Sequence, residues 1–170
     1  MRVLVVLLAL AACSPEPEAP PIEATIAPAA TVQAAEQAEP AAIIPEALIR
    51  NLYAEPAIPT DPAKIREYFA EPFVAALTPN ADGELTVDFD YRIDGQDGAA
   101  DGLTLVETAG GPDGGIVEAR FTNLGQAKTV VWTVCRQPDG VLKIEEAVRS
   151  GPDGWRLRSL LGLPPASEGC

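Results

Sequence analysis

The chain has 170 residues, with 25 acidic and 12 basic side chains, a formal net charge of −13 and no histidine. The acidic balance argues against a nucleic-acid partner, because phosphate backbones attract cationic surfaces. Without histidine the chain lacks the commonest general base and transition-metal ligand, which excludes Ser-His-Asp and Cys-His catalysis. No glycine-rich phosphate loop follows a predicted strand, and we expect no cofactor.

The N-terminus has the composition of an export signal. Arg2 precedes the apolar run 3–12, which is shorter than the about 20 residues of a membrane-spanning helix. A cation, an apolar stretch of this length and small residues are typical of a signal peptide over residues 1–12. The segment ends with Leu10-Ala11-Ala12-Cys13. This string resembles the bacterial lipobox, which implies lipidation of Cys13 and anchoring of the mature chain to a membrane.

The residue after the expected lipidation site is Ser14. By resemblance to lipoprotein sorting in enteric bacteria, an aspartate there would favour retention in the inner membrane. Ser14 therefore implies an outer-membrane anchor from which the protein faces the periplasm.

Residues 13–42 are predicted to form a disordered tether between the lipid and a folded domain. They are mostly Ala, Pro, Glu and Gln, and they include no aromatic or basic residue. Such a segment buries too little apolar surface to offset its ordering entropy. Proline and mutually repelling carboxylates extend it, and at about 3.1 Å per residue it reaches on the order of 90 Å. The rival interpretation is a proline motif that binds a partner.

Residues 43–163 suit one small domain that opens with two helices. Apolar side chains recur at helical spacing over residues 45–53, with a proline in the first turn. A second helix is predicted to begin after Thr60 and Asp61, either of which offers an N-cap, and to run to residue 77. Pro72 should kink or split this second helix, because its ring cannot donate the helical hydrogen bond.

From residue 103 onward the apolar period changes to two, which predicts strands. A short terminal helix follows over residues 155–163. The fold class is therefore α+β, with two N-terminal helices packed on one face of an antiparallel meander. The four predicted strands are residues 103–109, 116–123, 128–136 and 141–149.

Several strings between residues 60 and 160 follow a known pattern. They are Asp88-Phe89-Asp90 with Gly95-Gln96-Asp97, Ile65-Arg66-Glu67-Tyr68-Phe69 with Leu77, the strands around Trp132 and Ile144-Glu145-Glu146, and Trp155. Together they resemble the DUF3828 family of bacterial exported and lipid-anchored proteins. The resemblance implies an NTF2-like or cystatin-like α+β fold and an envelope location. The family's function is undefined, so no activity is implied.

An acidic loop between the helices and the sheet is the main candidate site. Oxygen-rich loops suit Ca²⁺, but Arg92 and Ile93 occupy positions where a calcium hand needs a ligand and a glycine. We therefore expect no metal and interpret the carboxylates as solvated turn residues. The acidic residues of the loop are Asp88, Asp90, Asp94, Asp97 and Asp101.

Two residues outside this loop complete the candidate site. Glu146 shares strand parity with Ile144, so it is expected either to line a pocket or to lie at the sheet edge paired with an arginine. We favour the second. Trp132 and Trp155 are most simply core residues, with ligand stacking as the alternative. The candidate pocket or binding residues are Asp88, Asp90, Gln96, Asp97, Glu146 and Trp155.

Cys135 and Cys170 remain once Cys13 is lipidated. An exported domain in an oxidising compartment permits a disulfide between them. Cys170 ends a tail, residues 164–170, that is predicted to be flexible. A bond between the two and a pair of free thiols therefore both remain open.

Three functions are consistent with these features. The first is a non-catalytic binding or accessory module, tethered to the membrane, with an envelope protein as the partner considered. The second is an envelope hydrolase that uses Asp90, Asp97 and Glu146, and the third is a structural envelope protein. The absence of histidine and of a nucleophile–base pair favours the first.

Overall fold

The computed structural model describes residues 44–111, 113–166 and 170. The expected signal peptide, the lipidation of Cys13 and the tether over residues 13–42 lie outside these residues. Within this part of the chain no helix combines the length and the apolar character needed to cross a bilayer.

Three helices precede the sheet, where the sequence predicted two. They are α1 (Pro45–Ala54), α2 (Pro62–Tyr68) and α3 (Glu71–Leu77). Of the two candidate caps, Asp61 is the one that caps α2, because its side chain accepts hydrogen bonds from two backbone N–H groups of the first turn. Pro72 splits the second predicted helix rather than kinking it, since it lies in the first turn of α3 and the backbone before that turn is extended.

The sheet is open and antiparallel, and its strands follow one another in chain order. Each of the four predicted strands is present, lengthened by up to two residues at an end or shortened by one. A fifth short strand extends the sheet. The strands are β1 (Asp101–Gly111), β2 (Gly114–Asn123), β3 (Gln126–Arg136), β4 (Leu142–Arg149) and β5 (Trp155–Arg156).

The predicted helix over residues 155–163 is wrong at both ends, in residues 155–156 and 161–163. Trp155 and Arg156 form β5, which pairs with Arg149 and Val148 at the end of β4. The helix α4 is confined to Leu157–Leu160. Pairing with β4 satisfies backbone groups that would otherwise be left at an open edge, and helical periodicity in the sequence does not reveal that edge.

The core lies between the helices and one face of the sheet. Inward-facing residues of β2 and β3 alternate with exposed or half-buried ones. Trp132 is at the centre of this face, with the rings of Tyr53 and Tyr91 at 6.0 and 6.4 Å between centroids. The apolar residues without solvent exposure are Ile49, Leu52, Ile65, Phe73, Tyr91, Val117, Ala119, Val130, Trp132, Val134, Ile144, Ala147 and Leu157.

The end of the chain is attached to the sheet. Cys170 forms a disulfide with Cys135 of β3, with a Cα–Cα distance of 5.0 Å. Gly114 provides the space for this contact, because a Cβ atom there would lie 2.9 Å from the sulfur of Cys170 and 2.1 Å from the carbonyl oxygen of Val134. Its φ of 141° also favours glycine. The bond closes a loop with a sequence separation of 35.

Replacing Cys170 with alanine should lower the free energy of unfolding by about 3–4 kcal/mol, the loop-closure entropy of a crosslink of this span. Urea titration monitored by circular dichroism measures the difference. Reductant should destabilise the wild-type protein by a similar amount and leave Cys170→Ala unchanged. Equal stabilities of wild type and variant under oxidising conditions would contradict the bond.

Candidate functional site

The loop between α3 and β1 and the segment 56–58 line an open cavity of about 340 Å³. Three of the candidate residues, Asp88, Asp90 and Gln96, lie together in its wall. The rest of the wall is largely apolar. It includes Ile58, Leu85, Val87, Phe89 and Ile93. The Asp-Phe-Asp and Gly-Gln strings, which are separated along the chain, therefore meet at one place.

Asp90 holds the loop in place. Its carboxylate binds the guanidinium of Arg92 through two oxygens, with distances of 2.6 Å to Nη2 and 3.0 Å to Nε. Arg92 is 6% exposed and also donates to the carbonyl oxygens of Leu52 and Glu55, at the end of α1. The carbonyl of Glu55 lies just beyond the last turn of α1, and that of Leu52 also accepts a hydrogen bond from the backbone N–H of Glu55. The Asp90–Arg92 pair thus joins the loop to the C-terminus of α1.

Asp88 and Gln96 are the polar groups of the cavity that remain free. Both side chains are exposed, and within the described part of the chain neither forms a hydrogen bond or an ion pair. A free carboxylate and a free amide beside apolar side chains are suited to binding a group from outside the domain.

The other candidate residues lie outside this wall. Asp97 is exposed, and its backbone carbonyl accepts a hydrogen bond of 3.2 Å from the side chain of Asn123. Glu146 and Trp155 lie on β4 and β5. Of the three acids proposed for a hydrolase, only Asp90 therefore lines this cavity.

Glu146 is a buried structural carboxylate, with 2% of its surface exposed. It forms an ion pair with Arg156 on β5, at 3.0 Å from Nη2, and accepts a hydrogen bond from the backbone N–H of Arg158 in α4. The arginine-paired alternative is therefore the one found. The prediction that Glu146 lies on the same face of β4 as Ile144 is wrong. A bulge in β4 pairs Ile144 with Val134 and Glu146 with Thr133, which lie on opposite faces of β3.

The sequence did not single out Asp94, although its carboxylate is bound by two cations and an indole. Asp94 has a φ of 51°, and its side chain is 11% exposed. The carboxylate accepts hydrogen bonds from Lys128 Nζ at 2.8 Å and Trp155 Nε1 at 2.7 Å, and Arg149 Nε lies 3.0 Å away. These partners belong to β3, β4 and β5. One acidic loop residue thus binds three strands.

Burial and the bound partners of Asp94 shift its pKa in opposite directions. Burial raises the pKa by disfavouring the charged carboxylate. Hydrogen bonds from Lys128 and Trp155, together with the charges of Arg149 and Lys128, lower it and prevail, so the pKa lies below its ordinary value. Asp94 therefore remains ionised and structural.

The two tryptophans have different roles in the structure. Trp132 is fully buried in the core. Trp155 is half-buried and packs edge-on against Phe89, with ring centroids 5.6 Å apart, while its indole nitrogen donates to Asp94. Phe89 also lines the cavity. Trp155 therefore packs against a residue of the cavity wall without lining the cavity itself.

Three buried polar side-chain atoms have no hydrogen-bond partner in the described part of the chain: the hydroxyl of Tyr91, the indole nitrogen of Trp132 and Oδ1 of Asn123. Burial raises the pKa of the Tyr91 hydroxyl well above its ordinary value. The phenol remains protonated and does not provide a general base. No group of three or more acidic or cysteine side chains in residues 44–111, 113–166 and 170 is arranged to hold a metal ion.

No family model, curated protein or solved structure matches the chain. The resemblance to the DUF3828 family therefore stays a prediction from the strings around Asp88 and Gln96. The lipid anchor and the envelope location likewise stay predictions from the N-terminal sequence.

Replacing Asp94 with asparagine should destabilise the domain by about 1–3 kcal/mol at neutral pH, because two cations lose their counter-ion. The folded-state pKa of Asp94 is lowered, so its ionised form stabilises the fold above the ordinary carboxylate pKa of about 4. That contribution disappears as the pH falls through the lower folded-state value. Urea titrations at a series of pH values should show that the difference in free energy of unfolding between wild type and Asp94→Asn disappears in acid.

Asp88→Asn is the matched control, since this carboxylate is exposed. Its effect should stay within about 0.5 kcal/mol. A loss of unfolding free energy in Asp94→Asn that does not change with pH would contradict the ion-pair interpretation.

Proposed function

We propose that this chain is a lipid-anchored protein of the bacterial cell envelope whose α+β domain is a non-catalytic binding or accessory module. One observation carries the binding part of the proposal. The loop cavity combines an apolar wall with two polar side chains, Asp88 and Gln96, that no residue of the described chain engages.

The proposed ligand is a segment of another envelope protein. Asp88 offers a carboxylate to a cationic or amide group, and Gln96 offers one acceptor and two donors. The apolar wall accepts an aliphatic or aromatic side chain beside them. A short segment that carries a basic residue next to an apolar one fits this combination.

The hydrolase interpretation is supported less well by the site. A hydrolase that uses two carboxylates requires both acids to face one reacting position. Here Asp90 is bound by Arg92, and Glu146 is bound by Arg156 on β4 and β5, outside the cavity wall. Each acid stabilises the fold through its partner, which leaves it poorly placed for proton transfer.

The proposal extends to the family and to the anchor. A helical layer on one face of an open antiparallel sheet is compatible with the NTF2-like or cystatin-like arrangement that the DUF3828 resemblance implies. The string Leu10-Ala11-Ala12-Cys13 and Ser14 support an acyl anchor in the outer membrane that faces the periplasm. The tether over residues 13–42 then provides the reach between membrane and partner.

Cys13→Ala should abolish metabolic labelling of the protein with radioactive palmitate and leave the signal peptide uncleaved, because the thiol is the acceptor of the lipid. Autoradiography of immunoprecipitated protein measures the label. Cys170→Ala serves as the control and should retain it. Labelling of Cys13→Ala would contradict the proposed anchor and would leave the cavity unaffected.

A photoreactive amino acid at Gln96 should crosslink to one envelope protein in living cells, whereas the same probe at exposed Thr104 of β1 should not. Asp88→Lys should remove the crosslink, because it reverses the charge at the cavity. Glu107→Lys makes the same charge reversal on β1 and should preserve it. Crosslinking that persists in Asp88→Lys, or is equal from both probe positions, would contradict the proposed docking site.

A further inference from the structure

A second cavity, the helix cavity, lies between α2, α3 and residues 78–86 and has a volume of about 630 Å³. Its lining includes Val74 of α3, which is 5% exposed, and the neighbouring Ala75, which is exposed and small. The cavity therefore combines apolar surface with room for a side chain from outside the domain. Its apolar lining residues are Pro62, Val74, Ala75, Pro79 and Leu85.

The helix cavity adjoins the loop cavity at Leu85, which lines both. The chain passes from one cavity to the other within a few residues. Residues 84–86 line the helix cavity, and residues 87–90 line the loop cavity. A ligand that follows this segment therefore contacts both cavities.

Residues 85–89 offer backbone groups to such a ligand. They belong to no helix or strand, and none of their backbone N–H and C=O groups bonds to another described residue. Val87 is 5% exposed, so its backbone has little contact with water, and a backbone group without water or a partner is costly. A helical ligand would satisfy its backbone groups internally, whereas an extended chain has donors and acceptors to share.

The charges along the two cavities favour a basic ligand. Each lining contains one arginine, and each arginine is paired with a carboxylate of the same lining. The remaining acids are Glu84 in the helix cavity and Asp88 in the loop cavity, which are exposed and form no ion pair with a described residue. Each lining thus keeps a net negative charge, and a ligand with two basic residues complements both.

We propose that one extended segment of the partner protein lies across both cavities, bonds to the backbone of residues 85–89 and places an apolar side chain in each cavity. Its basic residues lie beside Glu84 and Asp88. Backbone bonds supply affinity in this mode of recognition, and the side chains supply specificity. The inference rests on the proposed binding function and deepens it, because it names the form of the partner segment and enlarges the surface that it contacts.

Crosslinking from two positions in living cells tests whether one segment spans both cavities. A photoreactive amino acid replaces exposed Ala75 in the helix cavity or Gln96 in the loop cavity, and mass spectrometry locates the partner residue that each probe modifies. We expect both probes to modify one partner protein within a stretch of about ten residues, on the order of 33 Å when extended. The same probe at exposed Ala127 of β3 should modify no residue of that stretch.

Ala75→Trp should lower the crosslinking yield from Gln96 at least fivefold, because the larger side chain fills the helix cavity. Glu84→Lys should do the same by reversing a charge, whereas Ala127→Trp and Glu107→Lys are the matched controls and should leave the yield unchanged. A yield that persists in both Ala75→Trp and Glu84→Lys, or the absence of a shared partner stretch, would overturn the inference and leave the proposed function intact. No crosslink from Gln96 in the wild-type background would overturn both.

A synthetic peptide of the crosslinked partner stretch tests the backbone contacts with the full chain in neutral detergent. The peptide should protect the amides of residues 85–89 from hydrogen exchange. Two further peptides are N-methylated at alternate residues, each on one edge of the extended chain, which removes donors and preserves side chains and charge. At least one should bind tenfold more weakly. Equal binding of all three peptides, or protection confined to the open edge of β1, would overturn the inference.

Discussion

The burial of one sheet face beneath the helices is the contact on which the rest of the molecule depends. Trp132 and Val117 from the sheet meet Leu52 and Phe73 from the helices, and all four are fully buried. Burial of each such side chain stabilises the fold by about 1.5–3 kcal/mol. The loop between α3 and β1 adds Tyr91 to this core, and some of its polar side chains are partly withdrawn from water. Their charges then need partners within the domain.

Those partners account for the distribution of charge in this acidic chain. Asp90, Asp94 and Glu146 are each withdrawn from solvent, and each is bound by at least one arginine or lysine. Removing a carboxylate from water is costly unless it is paired and hydrogen-bonded. Arg92, Lys128, Arg149 and Arg156 are the partners of these acids, whereas the exposed acids of the loop, such as Asp88 and Asp97, have no ion-pair partner among the described residues. This division separates structural carboxylates from those that are free to meet a ligand.

Much of the fold follows from local patterns, and the failures occur where distant parts of the chain meet. Alternation of apolar residues located β1 to β4, and the residues at the first turns located the starts of the helices. The short strand β5 was missed because its pairing depends on an open edge of β4. The bulge that turns Glu146 away from the face of Ile144 was missed because parity assumes an unbroken ladder. Within the site, Asp88, Asp90 and Gln96 are brought together by one loop, whereas Glu146 required the whole sheet to be placed.

The sequence by itself determined the features that act over a few residues: an N-cap at Thr60 or Asp61, an interruption of the helix at Pro72 and the period-two strands. It also supplies the expectation of an acyl anchor at Cys13, which is read from adjacent residues alone. Only the tertiary structure decided which carboxylates are structural. The partners of Asp94 lie 34 and 61 residues away along the chain, and an ion pair depends on distance in space and on exclusion of water, neither of which sequence spacing records.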